Sequence, residues 1–509
     1  MIANWRATGA YVVLGSTLVV GSACRGACFD LDQPQCVDRF TGNRMLAHGF
    51  STGFDNHDAV ADAAVELRGD ADLGTGWTVI RRERDLIFGF PEAGAVGVLG
   101  VLQRIDDCPA SSTRLLGYLP DDSLDREPQL QVRVSGCSAA GVSTQVLFNG
   151  PSDFGTHVLT RDTGDEQWEL WVSGPGEGTE RGGVWRYTNA GERPAEGRGH
   201  DSAQLLEGTA PGDQLGLEMV GCGDLNGDGI REIAVGVPGF SGTSTLDAPP
   251  LSGAVLVIDP TTLPDEGDLS WNNATSVLWG QALDRAGTAI ECTQDLNGDG
   301  VADLVIGAPL TGDLDEGAVY VVSGAGLPTS GALADSASLT WSGTEPGERL
   351  GSSVDAADVD GDGVAELIAG APGLTDGVEG EGAVRLLLGQ DRDGEGVRFN
   401  GRMSQAVDGI NTVYRLGERS RLADLDGDAI PEIIAGAWRA DRDNTSLHAG
   451  EVRIWPGTVV ELGAGGDPSD SVVIAGESTH MQVGRRIDIL DVDGDGTPEV
   501  VTSARRRAQ

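Results

Sequence analysis

Residues 224–238 read DLNGDGIREIAVGVP, and a near copy, DLNGDGVADLVIGAP, begins at Asp295. Three more follow: DVDGDGVAELIAGAP from Asp358, DLDGDAIPEIIAGAW from Asp424 and DVDGDGTPEVVTSAR from Asp491. Each joins a glycine-rich acidic loop to a short apolar run that ends at a turn, the signature of a strand leaving a tight loop. Five spaced copies in 509 residues predict one large repeat architecture rather than a string of unrelated domains.

Working outward, a glycine stands seven or eight residues ahead of each loop, at Gly216, Gly287, Gly351, Gly417 and Gly484, so the period is 71, 64, 66 and 67 residues. The same template finds two degenerate copies upstream. At Gly155 the stretch DTGDEQWELWVSGP replaces the loop, and at Gly74 the short basic RRER stands in its place. Each unit offers about four short β segments, such as SVLWG, GTAIEC, DLVIGAP and GAVYVVSG around Gly287. Four-stranded units cannot bury both faces alone and must stack on neighbours, and radial closure removes exposed edges. The expected fold is therefore all-β: a seven-bladed β-propeller of four-stranded blades over residues 61–509. The last repeat stops at VVTSARRRAQ without its third strand, so the N-terminal segment is expected to complete it, with strands drawn from 37–67; a truncated or open last blade is the alternative.

In D-x-[DN]-x-D-G-x-x-[DE], side chains at positions 1, 3, 5 and 9 and the carbonyl at 7 converge on one centre, a set of hard oxygens that suits Ca²⁺. The predicted ligands are Asp224, Asn226, Asp228, Ile230 and Glu232; Asp295, Asn297, Asp299, Val301 and Asp303; Asp358, Asp360, Asp362, Val364 and Glu366; Asp424, Asp426, Asp428, Ile430 and Glu432; and Asp491, Asp493, Asp495, Thr497 and Glu499. An EF-hand would need Glu at position 12 and flanking helices, whereas Val235 stands at 12 in the first loop and the following residues read as strand. A merely solvated acidic turn would account for a single copy but not for five at matched positions. Up to five Ca²⁺ would offset 18 clustered negative charges, and without them like-charge repulsion should loosen the loops. The fourth loop has Ala429 where the others have glycine, which strains the site if that position needs a positive φ.

The formal charge is −44, and all 35 basic residues are arginine. So acidic a surface disfavours nucleic acid and anionic headgroups as partners. Abundant glycine, at 77 residues, suits short strands and tight turns. Residues 1–23 read as an export signal, with Arg6, an apolar run over 10–20 and Gly21-Ser22-Ala23 before Cys24. Cys24 is a tentative lipidation site, the alternative being simple cleavage after Ala23. A cysteine-containing segment, 24–60, follows. Six remaining cysteines then pair as Cys28–Cys36, Cys108–Cys137 and Cys222–Cys292, the last joining equivalent strands of neighbouring repeats.

With Leu/Phe-Gly leads, D-x-[DN]-x-D-G loops and Gly-Ala-Pro at 307–309 and 370–372, the chain resembles the FG-GAP repeats of integrin α-subunit propellers and their bacterial relatives. That resemblance implies a seven-bladed propeller with Ca²⁺ in hairpin loops on one face and partners on the other. It covers about 65–509, and the copies at Gly74 and Gly155 depart from it by lacking the ligands.

The leading functional expectation is a calcium-stabilised, non-enzymatic adhesion or ligand-binding scaffold, exported to the cell envelope as a lipoprotein or secreted, with a protein or glycan partner and no membrane contact beyond a lipid anchor. Loops 239–252 and 373–382 and the insert around Cys108–Cys137 are the expected contact surfaces. Two alternatives stay open: a propeller accompanying a hydrolase or lyase, and a purely structural envelope protein. No catalytic residue is predicted, since the six histidines form no metal or dyad spacing and His157 and His200 read as turn or surface residues. Arg68-Gly69-Asp70 reads as the strand-closing glycine of the repeat rather than as an adhesion tripeptide, and the sequons at Asn273 and Asn444 are formal only.

Overall fold

The computed structural model describes residues 203–359 except 245, together with 10–14, 17–21, 78–82, 85–89, 112–119, 129–136, 143–149, 157–164, 167–176, 181–188, 198–199, 364–375, 381–387, 397–400, 415–425, 428–441, 448–457, 471–475, 483–485, 487–490 and 499–503. The fold is all-β, as the sequence predicts, with one short α-turn at Leu333–Ser336 among the described residues. The chain divides into two compact units, one comprising 173–184 and 205–487 and the other the remainder.

The larger unit repeats one antiparallel sheet four times, named here by its leading glycine. The Gly287 sheet orders Ala289–Glu291, Leu304–Ala308, Ala318–Val322 and Leu339–Ser342; the Gly351 sheet orders Val354–Ala357, Glu366–Ala371, Ala383–Leu387 and Val397–Asn400; the Gly417 sheet orders Arg419–Ala423, Glu432–Ala437, Glu451–Trp455 and Val472–Ala475. The Gly216 sheet, Met219–Gly221, Ile233–Val237, Ala254–Ile258 and Ser276–Trp279, adds a fifth strand, Ser330–Ala332, that pairs parallel to Ser276–Trp279. That edge strand comes from the following repeat, and three residues with no apolar alternation left no strand signal in the sequence.

Second and third strands are buried along their whole length, because both faces are covered by adjacent sheets. Val255, Val257, Ile290, Leu304, Ile306 and Tyr320 fill the layer between the Gly216 and Gly287 sheets. Val305, Val319, Trp341, Val354 and Leu367 do so for the next pair, and Ile368, Leu386, Phe399, Ile433 and Trp455 for the last. Phe399 meets Trp455 edge-on with centroids 5.6 Å apart.

Glycine sets the spacing of these layers. Each leading glycine has φ between +84° and +94° and, from Gly216 to Gly417, donates its N–H to the carbonyl of the glycine next to last in its own second strand, as in Gly287 to Gly307 at 3.1 Å. That second-strand glycine in turn lies against the next repeat's lead: a Cβ on Gly236, Gly307, Gly370 or Gly436 would stand 2.1, 2.1, 1.8 or 2.1 Å from the carbonyl oxygen of Gly287, Gly351, Gly417 or Gly484. Cys222 and Cys292 form the expected disulfide with Cα atoms 4.8 Å apart, beside a Gly223 N–H to Cys292 carbonyl bond of 2.8 Å.

In the smaller unit the degenerate copies are tight hairpins. Thr78–Arg82 pairs with Asp85–Gly89, and Val158–Gly164 pairs with Gln167–Gly174 through a register shift at Asp162/Gly164. The 108–137 insert carries two long paired strands, Ser112–Leu119 and Gln129–Gly136, followed by Ser143–Asn149. Glu499–Ser503 pairs with Thr17–Gly21, which pairs with Ala10–Leu14, giving a sheet completed by Ile487–Leu490. The apolar run read as an export signal is thus placed as two strands beside the last repeat. The expected donor, 37–67, lies outside the described residues, as do the Gly74 lead, Arg68-Gly69-Asp70, Cys24, Cys28, Cys36, Cys108, Cys137, His200 and Asn444. A run rich in Val and Leu with β-branched residues fits a leader core and a strand equally well, so periodicity alone does not separate them.

Candidate metal loops

Each of the first four acidic loops connects the antiparallel first and second strands of its sheet. In the first loop the position-1 carboxylate organises the turn. Asp224 Oδ1 accepts the N–H of Gly227 at 2.7 Å and of Asp228 at 3.1 Å, and Oδ2 accepts that of Gly229 at 2.8 Å. Gly227 and Gly229 sit at φ +75° and +88°, which turns successive amides inward onto one side chain. Asn226 Oδ1 and Asp228 Oδ1 accept the N–H groups two residues ahead, from Asp228 at 2.9 Å and Ile230 at 2.8 Å. The second loop repeats this pattern around Asp295, with Gly298 at 2.7 Å and Gly300 at 2.7 Å. The loop shape is therefore written in side-chain to backbone hydrogen bonds.

Position 9 opens the buried second strand and faces back into the loop. Glu232, only 2 % exposed, accepts the Leu225 N–H on Oε2 at 2.8 Å and the Asn226 amide on Oε1 at 3.0 Å. The same bond from position 2 to position 9 recurs from Leu296 to Asp303 at 2.9 Å, Val359 to Glu366 at 2.8 Å and Leu425 to Glu432 at 2.8 Å. Position 2 is apolar in every loop, and Leu225, Leu296 and Val359 are buried, so the residue anchors the loop to the core while its amide fixes the acid.

Burial pushes the carboxyls of Glu232 and Asp303 above their ordinary range, and the charges of the other two loop aspartates add to this. Position 1 goes the other way. The Gly229 N–H leads the groups that hold Asp224 below its usual value; for Asp295, burial raises the value but the N–H groups of Gly300, Gly298, Asn297 and Asp299 outweigh it. These two loops thus combine an aspartate at the mouth held toward its charged form with a buried acid at the floor raised by desolvation and by its neighbours' charges, a pattern a cation would relieve.

The residues fit Ca²⁺. Oxygens sharing one ion at about 2.3–2.6 Å stand no more than about 5 Å apart, and one carboxylate oxygen from each of Asp224, Asp228 and Glu232 lies within 4.8 Å of the others. In the second loop the shorter Asp303 replaces Glu, and Asp299 Oδ2 takes the Ser323 hydroxyl at 3.4 Å. In the fourth loop Ala429 has φ +71°, as the sequence feared, and its N–H reaches Asp424 Oδ2 at 2.9 Å. Asp358, Val364 and Glu366 of the third loop are described; Asp360, Asp362 and Asp426 lie outside the described residues, as do Asp491, Asp493, Asp495 and Thr497, while Glu499 opens its strand.

Sequence reasoning missed a further element. The segment after the third strand reaches under the loop: the Gly324 N–H meets Asp303 Oδ1 at 3.2 Å and the Gly457 N–H meets Glu432 Oε1 at 3.3 Å. A Cβ at Gly324 would lie 2.1 Å from the Ala302 oxygen. The signal was present as glycines seven apart, Gly317 with Gly324, Gly382 with Gly389 and Gly450 with Gly457. His157 is half-buried at a strand start.

The FG-GAP repeat family matches residues 220–257, 286–322 and 350–387. The chain is similar to phosphatidylinositol-glycan-specific phospholipase D of Rattus norvegicus, 34% identical over 191 residues that cover 36% of this chain and 22% of that one. The Homo sapiens phospholipase is 35% identical over 181 residues, 34% and 20% of the two chains, and integrin alpha-4 of Xenopus laevis is 31% identical over 156 residues, 30% and 14%. The match spans about a fifth of these phospholipases and less of the integrin.

Proposed function

We propose, from the three FG-GAP repeat matches and the similarity to integrin alpha-4 and alpha-5 of Xenopus laevis, that the sheets are blades of a seven-bladed β-propeller braced by up to five Ca²⁺ ions, serving outside the cell as a binding or adhesion scaffold. The observation that carries this reading is the meeting of Asp224, Asp228 and Glu232 within 4.8 Å on a hairpin preshaped by its own amides. Side chains at positions 1, 3, 5 and 9 and the carbonyl at position 7 would hold each ion, and the bound charge would neutralise carboxylates that otherwise repel. Export to the cell envelope, anchoring through Cys24 and a protein or glycan ligand belong to the same proposal. Among the described residues no helix is long and apolar enough to cross a membrane.

Thermal melting of the full chain in Ca²⁺ and in chelator tests the brace. At a free concentration a hundred times the dissociation constant, one site adds about 2.7 kcal/mol, so the melting temperature should climb with Ca²⁺, and Glu232→Gln should remove part of the gain. Identical melting with and without the ion would end the reading.

A second reading, a repeat domain that accompanies a hydrolase, is favoured by the similarity to phosphatidylinositol-glycan-specific phospholipase D. Turnover of phosphatidylinositol-glycan by the purified chain, lost in His157→Ala, would select it.

A further inference from the structure

Position 3 separates the five acidic loops into two kinds. The first two carry asparagine, Asn226 and Asn297, and the other three carry aspartate, Asp360, Asp426 and Asp493. Both residue types offer an oxygen to a cation, but only the amide also has N–H groups to donate.

Both asparagines use those N–H groups in the same way. Asn226 Nδ2 donates to Glu232 Oε1 at 3.0 Å, and Asn297 Nδ2 donates to Asp303 Oδ1 at 3.0 Å. The amide is oriented from its other side, because Asn226 Oδ1 accepts the Asp228 N–H and Asn297 Oδ1 accepts the Asp299 N–H, each at 2.9 Å. With the Leu225 N–H on Oε2 at 2.8 Å, both oxygens of the buried Glu232 are held by donors from inside the loop. Asp303 takes the Leu296 N–H on its second oxygen and the Gly324 N–H beside the amide, while Asn297 Nδ2 also reaches Ser323 Oγ at 3.2 Å. The bond ties positions 3 and 9 across the loop, and in the first loop it does so where Glu232 faces Asp224 and Asp228. An aspartate at position 3 would instead add a further negative charge to that group, with no N–H to give. A second feature singles out the same pair of loops: the Cys222–Cys292 disulfide joins the chain just ahead of Asp224 to the chain just ahead of Asp295.

We propose that Asn226 and Asn297 are positioning residues that make the loops at 224–232 and 295–303 self-supporting, so that the cation dependence of loop order resides in the three aspartate loops, 358–366, 424–432 and 491–499. This deepens the calcium-brace reading and rests on it. The amide does with a neutral donor part of what a cation does with charge: it gives the floor acid a partner and keeps it turned into the loop. The first two repeats are then constant, and a change in free Ca²⁺ acts on the last three.

The test is hydrogen exchange, read by mass spectrometry on peptides of the full chain with its disulfide intact, in Ca²⁺ and in chelator. In chelator the amides of 224–232 and 295–303 should exchange at least about ten-fold more slowly than those of 358–366 and 424–432, and Ca²⁺ should close that gap. Asn226→Asp, which gives the first loop the residue of the other kind, should lose the protection in chelator and recover it in Ca²⁺, a rescue that a merely structural residue would not show. The reverse change, Asp360→Asn, should gain protection at 358–366 in chelator, a result that misfolding cannot imitate. Equal exchange of the two kinds of loop in chelator, unchanged protection in Asn226→Asp, a loss there that Ca²⁺ does not restore, or no gain in Asp360→Asn would each overturn the proposal. If Ca²⁺ slows exchange in all five loops alike, the division falls and the brace stands; if it slows exchange in none, both fall.

Discussion

At one end of the Gly287 sheet, nine residues from Asp295 to Asp303 fold onto hydrogen bonds to two acidic side chains; at the other end Gly287 and Gly307 approach closely, and a carbonyl of the next repeat closes the gap. The loop end is held by polar bonds that water partly reaches. The turn end is held by backbone packing with no room for a side chain, and next to it, just ahead of Gly351, Glu348 forms a buried ion pair at 2.6 Å with Arg385 of the Gly351 sheet, both side chains wholly inside. One end tolerates adjustment, and the other fixes the distance between sheets. Substitutions should therefore cost most at the turn end, even where the residue touches no ligand.

The strongest test of that asymmetry is Glu348→Gln, which takes from the buried Arg385 guanidinium the carboxylate it meets at 2.6 Å; denaturant unfolding should show a loss of about 3–5 kcal/mol. Should it prove harmless, the turn end is not the rigid part. Gly307→Ala should follow, at about 1–3 kcal/mol, because the new methyl meets backbone at 2.1 Å rather than a movable side chain. At the loop end, Ala429→Gly should raise stability by about 1 kcal/mol by relieving a left-handed alanine at φ +71°, read as a shift in the urea midpoint at constant slope.

The smallest expected effect is in pH dependence. Asp355, on the first strand of the Gly351 sheet, accepts the Leu422 N–H of the next sheet at 2.8 Å. Burial raises its carboxyl to about 7; Arg421 opposes that and Glu291 adds to it. The ordinary value is 3.8, so the folded chain holds an extra proton between the two, and this group's contribution to stability is fullest in acid and declines as pH climbs toward 7. Asp355→Asn, which keeps an oxygen for the Leu422 amide, should flatten that decline in melting curves taken across the interval. An unchanged slope would assign it to other groups.

The loops, the leading glycines and the Cys222–Cys292 bridge were legible because each needs particular side chains at fixed spacing. The bond from Leu225 to Glu232 was not, since any residue supplies an amide and only the burial of position 2 hints at it. Glu348 and Arg385 lie 37 residues apart, and nothing local couples an acid before one glycine to an arginine in a third strand. The approach of Arg485 to the ring of Trp438 was not legible either, since only the fold brings residues 47 positions apart together. The Gly155 hairpin was readable for the opposite reason, since a missing loop leaves too few residues to make one.

The bridge between Cys222 and Cys292 spans the 239–252 loop, where Leu251 stands 45% exposed. A protease that nicks this loop would leave two fragments still covalently joined. They would migrate as one species on a gel until a reducing agent parted them, so the severed chain would keep the first strands of the two sheets at their posts.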